Sequence, residues 1–190
     1  MIIDKNLKDI KVELQDTPEG KVKEVYVYAG ALYESLETEK EHKRTALVMI
    51  LLGAFAAALF VLGLFFESTP AHTVYAILPY AVNFLTYVFL VRSIAMYMPQ
   101  RDKNTKKQKS VGFEMFRPIG FIGALLGLIS LVGAIICLIK AGNSDWRDIL
   151  FLICDGLQTA IFGAYFFIGR KLVSKISEIR QENLHKTEAD

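Results

Sequence analysis

The sequence predicts an all-α membrane protein: a four-transmembrane-helix bundle with a small cytoplasmic N-terminal head. Three observations predict it. Residues 45–66, 73–91 and 118–139 contain no Asp, Glu, Lys or Arg, and residues 149–169 contain only Asp155. At ~1.5 Å rise per residue, helices of this length cross a hydrocarbon core of ~30 Å. None of the four runs carries the polar stripe every three to four residues that a water-soluble helix shows. Charge is also lopsided. Of the 22 Lys and Arg, all but Lys140 and Arg147 fall in residues 1–44, 92–117 and 170–190, a pattern that the net charge of +2 conceals. By the positive-inside rule both termini and the middle loop are expected on the cytoplasmic side of a cell membrane. The expected division is a head over 1–44, a membrane domain over 45–171 with spans near 45–66, 73–98, 118–139 and 149–169, and a helical C-terminal tail over 172–190.

In the head, Ile10, Val12 and Leu14 alternate with polar residues, the period of a strand. Pro18 and Gly20 mark a turn, and residues 21–28, rich in Val and Tyr, read as a second strand, so a β-hairpin is expected. A lone hairpin is marginal in water and calls for a partner or the nearby helices. Residues 31–44 read as a helix running into the first span, with Leu32 and Leu36 four apart and a Glu39–Lys43 pair. The 44 charged and polar residues ahead of the first apolar run do not fit a cleavable signal peptide.

Span one carries Gly53 and Ala57 four residues apart, and Ala54 and Ala58 likewise, a spacing that lets another helix approach closely. Span two contains Pro79, which removes a backbone hydrogen bond and is expected to kink the helix. It also contains Asn83, and at its end Arg92, which either snorkels to the inner interface or binds an anion. The basic middle loop, residues 101–117, is expected to touch anionic lipid headgroups, with Phe113 and Phe116 anchoring an interfacial segment. It is too short for a nucleic-acid-binding fold. In span three, Gly123 and Gly127 form a GxxxG step, serving contact either within the chain or in a homo-oligomer. Trp146 suits an interfacial anchor ahead of span four, where Gly156 and Ala160 share a stripe. Beyond Arg170, Leu172, Ile176 and Ile179 extend the helical period. Each half pairs a small-residue span with an aromatic-rich one, the pattern a duplicated hairpin would leave.

Little catalytic chemistry is visible. His42, His72 and His185 are isolated, and there is no HExxH, GxSxG or phosphate-binding glycine loop. Asp155-Gly156 resembles the opening of the lipid phosphatidyltransferase signature, but the arginine and further aspartates that would bind metal are missing. No enzyme, metal or cofactor is expected. Cys137 and Cys154 lie at similar depth, either as buried free thiols or as a disulfide. The candidate site is an intramembrane polar cluster of Asp155, Asn83, Ser130 and Thr159. Counted from the outer boundary, Asp155, Asn83 and Ser130 come to roughly one level. The cluster reads either as a buried hydrogen-bonded knot or as a proton or cation relay.

The stretch Val25 to Glu34 (VYVYAGALYE) before a charged helix, and Leu78-Pro79-Tyr80 near the start of span two, resemble small bacterial four-span membrane proteins with no assigned activity. The likeness implies the architecture alone. The function expected from the sequence is non-enzymatic: an accessory or regulatory subunit docking on another membrane protein. The alternative is a small oligomeric transporter using Asp155.

Overall fold

The structure, a computed structural model, describes residues 10–16, 22–28, 32–65, 67–98, 104–142 and 144–179. Three strands come first, β1 (Ile10–Asp16), β2 (Val22–Tyr28) and β3 (Leu32–Ser35). Helix α1 (Glu39–Phe65) follows, then a 3₁₀ turn at Pro70–His72, α2 (Val74–Val82) and α3 (Phe84–Tyr97). Next come β4 (Asn104–Thr105), the short α4 (Lys106–Lys109), a π-helical turn at Ser110–Glu114 and α5 (Phe116–Ala141). Helix α6 (Trp146–Val173) and β5 (Ile176–Ile179) close the described chain.

Among the described residues, four helical stretches are long and apolar enough to cross a membrane: Glu39–Phe65, Val74–Tyr97, Lys106–Ala141 and Trp146–Val173. They pack as an up-and-down bundle in which α6 lies between α1 and α5, and α2 and α3 fill the gap between α5 and α1. Its outer surface carries Leu51, Phe55, Val91, Phe121, Ile139 and Phe167, all exposed, while Asn83, Thr86, Ser93, Ser130, Asp155 and Gln158 are buried. Polar groups inside and apolar groups outside are compatible with a multi-pass membrane protein, whose surroundings are as apolar as a leucine side chain.

The expected hairpin is present, with β1 and β2 antiparallel from Ile10 opposite Tyr28 to Asp16 opposite Val22. Its Pro18–Gly20 turn lies outside the described residues. Two expectations at this end are corrected. The helix expected from residue 31 starts at Glu39, and residues 32–35 are a strand instead. Thr38 sets that start: its hydroxyl accepts from the Glu41 amide (3.3 Å) while the Glu41 carboxylate accepts from the Thr38 amide (3.2 Å). The tail expected to continue as helix to Ile179 turns at Ser174 and becomes β5. A period of three to four does not separate helix from strand over four residues. Here β3 is the central strand, taking β5 on one side and β4 on the other, all antiparallel. This small sheet gathers the N-terminal segment, the middle loop and the C-terminal segment at one end of the bundle, the head end.

The opposite end is closed by Asp148, 2% exposed, whose carboxylate accepts from the amides of Thr69 (2.7 Å) and Asp145 (3.0 Å). That pins the start of α6 to the α1–α2 connection. Helix α5 stops at Gly142, which takes a left-handed φ of 70°.

Within the bundle, glycines let α5 and α6 touch. A methyl group added at Gly123 would strike the Phe162 ring, and one at Gly127 the Thr159 side chain, so this GxxxG step serves contact within the chain. Gly53 plays a different part, making room for Tyr165, whose hydroxyl donates to the Met49 carbonyl. Tyr80 donates to Phe60 O (2.8 Å) and Tyr87 to Ala56 O (3.1 Å), so three tyrosines satisfy their hydroxyls on the backbone of α1, whose buried middle has no polar side chain. Ala57 faces outward rather than joining Gly53 in the interior. Phe113 and Phe116 are buried, not interfacial. They meet Tyr97 edge-on at 5.1 and 6.1 Å because the π-helical turn folds the loop back over α3.

Candidate functional site

The expected polar cluster is only partly assembled. Pro79 has no amide to give Tyr75, and the helix is interrupted four residues later at Asn83. The Asn83 side chain donates to Gly123 O on α5 (3.3 Å), and its own Oδ1 accepts from Thr86 (2.6 Å). Ser130 donates to Ala76 O (3.1 Å), and Thr159 turns back onto the Asp155 carbonyl (2.8 Å). Of the expected four residues, the structure sets Ser130 beside the Asp155 carboxyl.

Asn83 is not at that level. Its partner on α5 is Gly123, whereas Asp155 lies near Ser130, seven residues or ~10 Å along the same helix. Counting inward from a common boundary fails because the helices start in different planes. Asp148 at the head of α6 bonds Thr69, four residues before the Thr73 from which α2 is counted.

Asp155 is fully buried, and neither carboxyl oxygen has a hydrogen-bond partner among the described residues. The hydroxyls near it are engaged elsewhere, Ser130 with Ala76 and Tyr80 with Phe60. Gln158 shares its predicament: fully buried, beside Tyr87, both amide atoms unpartnered. Gln158 is not among the residues singled out from the sequence, yet its spacing of three from Asp155 places it on the same face. An ionised carboxylate buried without a partner carries a penalty of several kcal/mol (order of magnitude), and an unsatisfied amide ~1–3. Two such groups side by side in the helix most enclosed by its neighbours form the chemically distinctive spot of the interior. Of the two, the Asp155 carboxyl can bind and release a proton, whereas the Gln158 amide can only donate and accept hydrogen bonds; no group of residues suited to a metal occurs among the described residues.

A second polar centre joins the head to the bundle and has no counterpart in the sequence pattern. Glu37, 4% exposed, accepts from the Tyr97 hydroxyl (2.6 Å) and from Lys175 (3.2 Å). His42 lies against the Tyr97 ring at 4.3 Å with the two planes tilted by 32°, its Nδ1 3.6 Å from Glu37, beyond hydrogen-bond reach. These residues come from the N-terminal segment, α1, the end of α3 and the turn before β5. Cys137 and Cys154 stand as free thiols, and Cys137 contacts the Thr73 hydroxyl (3.1 Å).

Compared with protein-family profiles, curated proteins and solved structures, the chain has no match.

Proposed function

We propose that the chain is a multi-pass protein of a bacterial cytoplasmic membrane, head and termini inside, acting without catalysis as an accessory or regulatory subunit docked on another membrane protein. The charge asymmetry supports the orientation, since residues 1–44, 92–117 and 170–190, from which the head-end sheet draws its strands, hold 20 of the 22 Lys and Arg of the sequence. The docking reading is carried by one row on α6. Gly156, Ala160 and Gly163 share a face turned away from the bundle, and a methyl group added at Gly156 or Gly163 meets nothing within 4 Å. Inside a helix, glycine costs ~0.8–1.0 kcal/mol relative to alanine. Gly120, Gly123 and Gly127 repay that through close contact within the chain, whereas Gly156 and Gly163 have no such neighbour, and a notched face in lipid suits another helix. In the head, β1 and β2 pair only with each other among the described residues, leaving two strand edges for a foreign strand. The absence of catalytic motifs from the sequence supports the non-enzymatic part.

Gly156→Leu tests the docking face, because the added side chain fills open space. In gentle detergent the wild type should co-purify with a stoichiometric membrane partner, and the variant should lose it at least tenfold while melting normally. A wild-type chain that runs as a bare monomer counts against docking, and so does a variant that keeps its partner. A dimer of the chain alone would substitute a second copy for the foreign protein.

The buried, unpartnered Asp155 favours a second reading, a proton or cation relay. Its test is flux through reconstituted vesicles. Asp155→Asn should remove a pH-dependent flux shown by the wild type, and equal flux in both would dismiss the relay.

A further inference from the structure

At the head end, α1 and α6 diverge around a groove of about 410 Å³, inside the ~300–1,000 Å³ of small-molecule sites. Its walls are graded along the helix axes. Arg44, Lys171 and Lys175 line it with Glu37 and Glu41 on the side of the head, Leu172 lies at the level of Lys171, and Val48 and Ile168 line it one turn further towards the middle of the bundle. The antiparallel helices place this gradient in register. Arg44 precedes Val48 by one turn on α1, Ile168 precedes Lys171 and Leu172 by about one turn on α6, and Lys175 follows in the turn after that helix.

The charges are unevenly engaged. Lys175 is held by Glu37 (3.2 Å) and reaches Glu41 at 3.9 Å. Neither Arg44 nor Lys171 forms an ion pair among the described residues, and both are exposed. Three cations against two carboxylates leave the groove one positive charge. We infer that it holds the headgroup of an anionic phospholipid, the phosphodiester between Arg44 and Lys171 and the first acyl carbons against Val48, Ile168 and Leu172. One phosphodiester balances the surplus charge. Arg44 supplies a planar fork that matches phosphate oxygens. The apolar floor distinguishes a lipid from a soluble phosphate, which would gain nothing from it. This site is separate from the Gly156 row and from the basic middle loop, so it stands or falls independently of docking.

Native mass spectrometry of the full chain in detergent, with phosphatidylglycerol and phosphatidylcholine of the same acyl chains, tests the assignment. The wild type should retain one phosphatidylglycerol in preference to phosphatidylcholine. Arg44→Gln with Lys171→Gln should weaken that retention about thirtyfold, at roughly fivefold for each basic side chain near the surface. Lys106→Gln with Lys107→Gln, in the middle loop, should leave it within about twofold. Should the double groove variant fold poorly, Arg44→Gln alone carries the test, at roughly fivefold. Four results overturn the inference: no preference in the wild type, equal retention by the groove variants, a loss that follows the loop variant instead, or displacement of the lipid by glycerol phosphate at equal concentration.

Discussion

Gly120→Ala will destabilise the bundle, while Gly156→Ala, on the adjoining helix, will leave it unchanged or slightly firmer. At Gly120 an added methyl group meets backbone, not side chain: the Phe166 amide nitrogen, the Phe162 carbonyl at 2.7 Å and the Phe166 Cα at 2.8 Å. Side chains rotate away from such overlaps, but two helix backbones must part, and close packing passes the shift along α5 and α6. Overpacking of this kind costs roughly 1–3 kcal/mol for small additions, and Gly120→Leu should exceed that range. At Gly156 nothing lies within 4 Å, and alanine is the better helix former by ~0.8–1.0 kcal/mol. Unfolding in mixed micelles by added dodecyl sulfate measures both. Equal midpoints for Gly120→Ala and wild type would mean that α5 and α6 do not touch at Gly120.

The contrast shows what the sequence could and could not reveal. Four uncharged or nearly uncharged runs were enough to read four long helices, because length and polarity alone decide whether a helix can span. The spacing of Gly123 and Gly127 announced a close contact, and their neighbours Phe162 and Thr159 on α6 are its other half. Which small-residue rows turn inward is a different matter. Gly53 and Ala57 have the same spacing as Gly123 and Gly127, but Gly53 accepts a tyrosine and Ala57 faces out, since a spacing of four says which residues share a side of the helix and not which side meets a neighbour. The strands β3 and β5 were hidden for a related reason. Four residues are too few to show a period, and each is a strand because the other lies alongside it.

The candidate site was legible one residue at a time. A carboxylate inside an apolar run marks itself, whereas Gln158, three residues on and on the same face, was passed over although its spacing carried the signal. The distance between Asn83 and Asp155 was not, because it depends on where each helix starts, and a tertiary hydrogen bond between Asp148 and Thr69 sets that. The junction around Glu37 was invisible throughout. Glu37, Tyr97 and Lys175 are up to 138 positions apart, and one acidic residue in a charged head looks like any other until it is seen to be buried.

Glu37→Ala should loosen the head from the bundle without unfolding the helices. The wild-type carboxylate takes the Tyr97 hydroxyl and the Lys175 ammonium at once, so its removal leaves a buried phenol and a partly buried cation without their acceptor. Removing one partner of a buried pair costs ~3–5 kcal/mol, and Lys175, 28% exposed, recovers part of that from water. A cost of about 2–3 kcal/mol is the expected remainder. It falls on a local element, because Lys175 immediately precedes β5, and the Leu36 amide bonds the Lys175 carbonyl at 2.8 Å. Hydrogen exchange reads the result directly. The amides of β3, β5 and Leu36 should exchange about thirtyfold faster or more, while those in the middle of α5 and α6 keep their protection. Tyr97→Phe, which deletes a donor but keeps the ring against His42, should show a smaller change, equivalent to ~1 kcal/mol. Unchanged exchange in Glu37→Ala would show that strand pairing alone holds the head. Equal acceleration throughout the helices would show instead that head and bundle open as one unit.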